Sequence, residues 1–361
     1  MKITDVRADF LKSGRAIVRI FTDQGIVGLS EHGGRNPGVL RSYIDESIKP
    51  YLTGKDPLQV DRHWETLSWG NDMQMFRLPP TVVGSIDIAL WDIVGKAANL
   101  PNHALMGGAA RRVIPMYWSI GMGWQKTPEQ MLADVKRGWD QGFKYFKIRM
   151  DWRWYRQDAN PAKDFAMFKM VREFLPKGIY LGFDANNGYS VSTAITQGVK
   201  MQELGFDHFE EPLPPYDFAG LGQVCDALDV AVTTGEQEPG RWQFVSLLAL
   251  GNPDILQPDI LISGGISEMQ KIYALAVAHN KPVMPHSPTA GVNSMASLHL
   301  YSTLVNATRP HEYSTEFTGD PRPLQELFNE PLLPEKGNMH LSDKPGWGLT
   351  LNEAVLKKQL A

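Results

Sequence analysis

Three carboxylates close three apolar runs at one spacing. Asp184 ends IYLGFD, Glu210 ends FDHFE and Glu236 ends VAVTTGE, each 26 residues after the one before. One strand-plus-helix unit of a parallel barrel takes about 25–30 residues. The spacing therefore places the three acids at the C-terminal ends of three consecutive parallel strands, converging on one mouth. Bare carboxylates held that close repel one another. A hard divalent cation relieves the repulsion, and an all-oxygen ligand set points to Mg²⁺ or Mn²⁺ rather than Zn²⁺. Any one of these acids alone would read as a surface or ion-paired group; the common period is what speaks for a metal.

The same strand-end rule finds further groups. Lys147 and Arg149 lie two apart in YFKIRM, so alternation aims both to one side. Asp259 ends ILQPD and His286 ends PVMPH, on neighbouring strands. Asp259 can then accept from one ring nitrogen of His286, fix its tautomer and raise its basicity. The last strand offers Glu312 or Glu316 in HEYSTEF. Plainer readings stand beside these: a structural His286, a solvated Lys147–Arg149 rim, Asn186 as a turn residue. His32, in EHGGRNP, reads as an exposed loop residue that could belong to a lid. Gly264-Gly265 reads as an anion cradle or simply a tight turn before a helix. Trp152 and Trp154 either wall the mouth or pack locally. No dinucleotide, P-loop, zincin or serine-hydrolase motif is present.

The elements that position these groups follow from pattern. Apolar runs at 113–118, 143–148, 179–184, 206–210, 231–235, 255–259, 282–286 and 311–316 alternate with helical stretches such as Thr127–Gln141, Ala162–Phe174, Thr193–Leu204 and Ser267–His279. Eight strands with helices between them predict an α/β barrel. Before it, runs 16–21 and 26–30 flank Asp23-Gln24-Gly25 as a β-hairpin, and Thr81–Ala98 carries a helical stripe ended by Asn99-Leu100-Pro101. The tail from about 317 is rich in Pro and Gly and is expected to pack back on the N-terminal part. The domains read as 1–112 with 317–361 for an α+β cap, and 113–316 for the barrel.

Composition narrows the class. The 361 residues are 43% hydrophobic and 21% charged, with a net charge of −4. That suits a soluble globular protein and disfavours nucleic-acid or membrane-surface partners. One cysteine, Cys225, excludes an internal disulfide and fits a reducing, cytoplasmic setting. No signal-like N-terminal segment or long apolar span is seen.

With these residues in view, the chain resembles the enolase superfamily, in its mandelate racemase-like branch. The carriers are Asp184 with Asn186 as a DxN motif, Glu210 in EEP, Glu236 in GE, the Asp259–His286 pair, and SIDIALWDIVGKAANLP followed by LMGG. The resemblance implies a modified TIM barrel, (β/α)₇β, with an α+β capping domain. It implies Mg²⁺ on Asp184, Glu210 and Glu236, and His286 backed by Asp259 as the base. It gives Lys147 to the substrate carboxylate, with Glu316, or else Glu312, as the last-strand acid. Asn186, His32 and Glu312 are implied substrate contacts, and a homo-oligomer is implied as the assembly. One departure matters. Racemases of the branch carry a second Lys where this chain has Arg149, and Arg cannot act as a base near neutrality. With one base remaining, the expectation is a hydro-lyase that dehydrates a sugar acid. An epimerase or racemase, a lactone cycloisomerase, and a barrel that binds acid sugars without turnover are the alternatives.

Overall fold

The computed structural model describes residues 1–33, 36–70, 78–315, 326–330 and 332–361. Three antiparallel strands open the chain: β1 (Ile3–Phe10), β2 (Arg15–Thr22) and β3 (Val27–Gly33), in that order in the sheet. The expected hairpin is β2–β3. Strand β1 escaped the sequence pattern because a register shift between Ile3 and Asp5 interrupts its alternation. Ile3, Val6, Ala16, Val18 and Ile20 face the helices Val60–Trp69 and Pro80–Ala98 and form the cap's own core.

A second sheet runs β10-β4-β5-β6-β7-β8-β9, every pair parallel. Its strands are β4 (Val113–Ile120), β5 (Tyr145–Arg149), β6 (Tyr180–Asp184), β7 (His208–Glu210), β8 (Ala231–Thr234), β9 (Ile255–Leu256) and β10 (His311–Tyr313). Helices such as Pro128–Asp140, Pro161–Phe174, Val191–Gln202 and Ile266–Ala278 fill the crossovers. The run 282–286 is not a continuous strand. Single bridges, Leu256 to Val283, Asp259 to His286 and Thr289 to Ser314, carry the ring from β9 to β10. Pro258, Pro282 and Pro285 lack the N–H that a continuous ladder needs, which also shortens β9 relative to 255–259. The architecture is a modified TIM barrel with an α+β cap.

The tail touches both parts. Strand β11 (Asn338–His340) pairs antiparallel with β4, while Leu360 bridges to Leu11. Trp347 donates from its indole to the Ile88 carbonyl, in the middle of the cap's long helix. That helix docks on the barrel through Gly84 and Gly265. A Cβ on Gly265 would stand 2.5 Å from the Asp87 carboxylate, and φ there is +98°, so glycine serves both space and conformation. Gly264-Gly265 is thus a docking seat for the cap. Trp64 donates to the Gly264 carbonyl at 2.7 Å.

Candidate active site at the barrel mouth

Strand register brings the ionisable residues together. Arg149 pairs with Asp184, and Asp184 with Glu210, so three successive strands end in one row. Lys147 lies one layer below Arg149, opposite Gly182. A Cβ on Gly182 would meet the His208 ring at 2.1 Å, so this glycine opens the barrel interior to an imidazole. Lys147, Asp184, Glu210 and Glu312 are all essentially fully buried.

The Lys147 ammonium is the hub. It stands 2.5 Å from Glu210 Oε1, 3.3 Å from Glu312 Oε1 and 3.7 Å from Asp184 Oδ2, with the Tyr117 ring 5.2 Å away. Burial alone would lower its pKa; Glu210 and Glu312 outweigh that and hold it well above the ordinary lysine value. Burial pushes up the Asp184 carboxyl, and repulsion from Glu210 pushes it further. Glu210 goes the other way. Lys147 overcomes its burial and holds it below the usual carboxylate range. Burial raises Glu236, with His286 opposing and Glu210 adding to the rise.

His286 sits between two kinds of carboxylate. Its Nδ1 is 2.8 Å from Asp259 Oδ2, while Nε2 faces Glu236 Oε2 at 3.4 Å and Glu312 Oε2 at 3.8 Å. Asp259 Oδ1 is held by the backbone N–H groups of Leu261 and Ile262. Burial would lower the imidazole; Glu236, Glu312 and Asp259 lift it to about 10.

Arg149 reaches over the end of β4. A Cβ on Gly121 would lie 2.0 Å from its guanidinium, and its Nε donates to Asp151 at 3.0 Å. Asn186 donates to Asp184 Oδ2 and accepts from the Asp151 N–H, so it braces the Asp184 carboxylate against the loop after β5. Asn186 and Asp151 both have positive φ, a strain that the surrounding bonds hold in place. His32 is not a loop residue but the penultimate residue of β3, in the cap. Its two ring nitrogens are buried without a hydrogen-bond partner among the described residues, and burial lowers its pKa. Glu316 lies outside the described residues, whereas Glu312 stands inside the cluster and accepts from the Ser287 N–H. Trp152 packs locally, donating to Asp164, and burial pushes the Cys225 thiol up to about 12.

Sequence reasoning missed four participants. Gln257 donates to Glu210 Oε2 at 2.7 Å. His208 holds Asp207 through Nδ1. Asp151 braces Arg149. Glu211 accepts from Asn187 and Gln237. Strand alternation pointed to His208 and Gln257, which lie two residues before Glu210 and Asp259.

Among the described residues, no three carboxylates or imidazoles close around a common point; Lys147 and His286 take up the negative charge. The donor set still suits a hard cation: Asp184, Glu210 and Glu236 offer oxygens only, buried and mutually repelling.

Comparison with known proteins identifies the family. Residues 10–107 match the mandelate racemase / muconate lactonizing enzyme N-terminal domain, and residues 130–355 the enolase C-terminal domain-like family. The chain is 30% identical to D-galactarolactone cycloisomerase of Agrobacterium fabrum, over 99% of this chain and 98% of that one. It is 32% identical to L-talarate/galactarate dehydratase of Salmonella typhimurium, over 85% and 73%. A mandelate racemase/muconate lactonizing protein from Paracoccus denitrificans PD1222, solved in complex with magnesium, superposes with a TM-score of 0.89 at 33% identity, covering 99% and 96%. Matched at both its cap and its barrel, the chain belongs to the enolase superfamily, in the mandelate racemase and muconate lactonizing enzyme branch.

Proposed function

We propose that this protein is a Mg²⁺-dependent sugar-acid dehydratase. Its base is the Asp259–His286 pair. The observation that carries the reading is an asymmetry across the mouth: one imidazole braced by a carboxylate on one side, and on the other Arg149, which cannot accept a proton near neutrality.

Asp184, Glu210 and Glu236 would hold the cation. When bound, it supplies Lewis-acid stabilisation of negative charge on the substrate carboxylate. The Lys147 ammonium adds a second positive charge at the same place, so the α-proton becomes removable. Asp259 holds the proton on His286 Nδ1; with a cation on Glu236, the charge that most lifts the imidazole is neutralised, so that Nε2 can lose its proton and accept. His286 Nε2 takes the α-proton. The C–H electron pair moves towards the substrate carboxyl group and then returns as the Cα–Cβ double bond while the β-C–O bond breaks with its own pair, leaving an enol. His286 returns the proton to the departing hydroxide, which leaves as water. The enol tautomerises to a 2-keto-3-deoxy acid. Glu312 takes the role of the last-strand acid, beside both Lys147 and His286. His32 and Arg149 are assigned to the substrate's hydroxyls or far end, and Asn186 to bracing Asp184.

The test is a library of hexonates, pentonates and aldarates with Mg²⁺, with 2-keto acids detected by semicarbazide. Turnover with loss of one water is expected, and no turnover on any member sinks the reading. The 30% identity to a cycloisomerase over nearly the whole chain favours one second reading, in which a lactone oxygen departs in place of the hydroxyl. Its product has the same mass as its substrate, so mass spectrometry separates the two.

A further inference from the structure

The acid that closes β7 is gripped from two sides. Lys147 engages Glu210 Oε1, and the side-chain amide of Gln257 donates to Oε2 at 2.7 Å. Gln257 is fully buried and reaches across from the segment after β9, over the interior side of β8. Its own backbone is pinned, its N–H donating to the Thr234 carbonyl at 2.9 Å. Two residues on, Asp259 holds His286. His286 N–H donates to the Pro258 carbonyl between them. One pinned tripeptide, Gln257-Pro258-Asp259, therefore touches the acid on β7 with its first residue and the base with its third.

The chemistry of the donor matters. A neutral amide orients a carboxylate without adding a charge that competes with a cation, whereas the Lys147 ammonium on the other oxygen does compete. His208 Nε2, the other polar group nearby, stands 3.6 Å from the same oxygen, beyond hydrogen-bond reach.

We infer that Gln257 is a positioning residue that fixes the Glu210 carboxylate for a divalent cation, so that one tripeptide sets both the ligand wall and the base. The inference rests on the proposed metal role of Glu210. Partners that orient a ligand typically change metal affinity about 10- to 100-fold when removed.

The test titrates the full chain with Mn²⁺, following free Mn²⁺ by electron paramagnetic resonance, beside Mg²⁺ calorimetry. Q257M keeps the volume and removes the donor. It is expected to weaken Mn²⁺ binding about 10- to 100-fold, with turnover at saturating metal restored towards wild type. A merely structural glutamine would lower the melting temperature and leave metal affinity unchanged. Should Q257M fail to fold, Q257N keeps the amide but is one methylene too short to reach Glu210, and predicts the same loss. Wild-type affinity in the folded variant overturns the inference. The E210Q background separates the two claims. If E210Q itself binds Mn²⁺ like wild type, the metal reading of Glu210 fails. If E210Q binds weakly, Q257M must add no further loss.

Discussion

The barrel mouth and the seam between cap and barrel both bury carboxylates, and they treat them in opposite ways. In the seam each acid is isolated and supplied with donors. Asp87 accepts from the Ser267 hydroxyl at 2.6 Å and its N–H at 3.0 Å. Just behind the seam, within the cap, Asp92 accepts from the Leu29 and Trp347 N–H groups and from Lys96. Glu31 accepts from the Val292 N–H and pairs with Arg15. In the mouth the acids face one another. Asp184 and Glu236 are raised by burial and by their neighbour Glu210, and Glu312 Oε1 shares the one Lys147 ammonium with Glu210 and Asp184. A satisfied buried acid ties elements together, whereas a crowded set stores unfavourable charge that a ligand can release. The seam is built for stability and the mouth for binding.

Substitutions can break this contrast. The largest effect is expected from H286N, with kcat falling about 10³-fold or more and the melting temperature close to wild type; steady-state kinetics and a melting curve check both. Retention of full activity would remove His286 as the base. D184N should abolish turnover, yet leave metal-free stability within about 1 kcal/mol of wild type or above it, because it relieves a repelled buried charge. Added Mg²⁺ should raise the melting temperature of wild type and not of D184N. The seam reverses this pattern. D92A leaves two buried N–H groups without their acceptor and Lys96 with the Val27 carbonyl in place of its counter-charge, and should cost roughly 3 kcal/mol in denaturant unfolding, with KM little changed.

A separate effect is expected in pH dependence, away from the mouth. Burial lowers His299, behind the seam, to about 3. It is neutral when folded and binds a proton when unfolded below about 6.5. The unfolded state therefore holds more protons in that window, and the stability contribution present above pH 6.5 is lost as pH falls. Removing the group as H299N should flatten the slope between pH 6.5 and 4 by about 1.4 kcal/mol per pH unit. Equal slopes in the two proteins would contradict a neutral buried His299.

Much of the mouth was legible because strand ends are a one-dimensional signal. Asp184, Glu210 and Arg149 each close an apolar run, and alternation places Lys147 on the same side. What escaped lay where pattern and pairing part company. Strand β1 hides behind a register shift, and the prolines around 258 and 282–285 reduce two strands to short pairings. His32 sits among residues of loop composition but lies within a strand, where its neighbour Glu31 is anchored by Asn293 and Val292 on the barrel. Glu312 could not be separated from Glu316 by spacing; its place is seen only from Lys147, Ser287 and His286 around it.

The sequence by itself determined the barrel period and which ionisable residues close its strands, because each follows from residue type and linear spacing; the family resemblance added that Arg149 stands where racemases carry a second Lys. Tertiary structure alone decided which oxygen meets which donor. Lys147 on β5 and Gln257 just after β9 reach Glu210 from either side, 63 and 47 residues away in the chain. No local pattern encodes such a distance; only closure of the ring brings those atoms within hydrogen-bond reach.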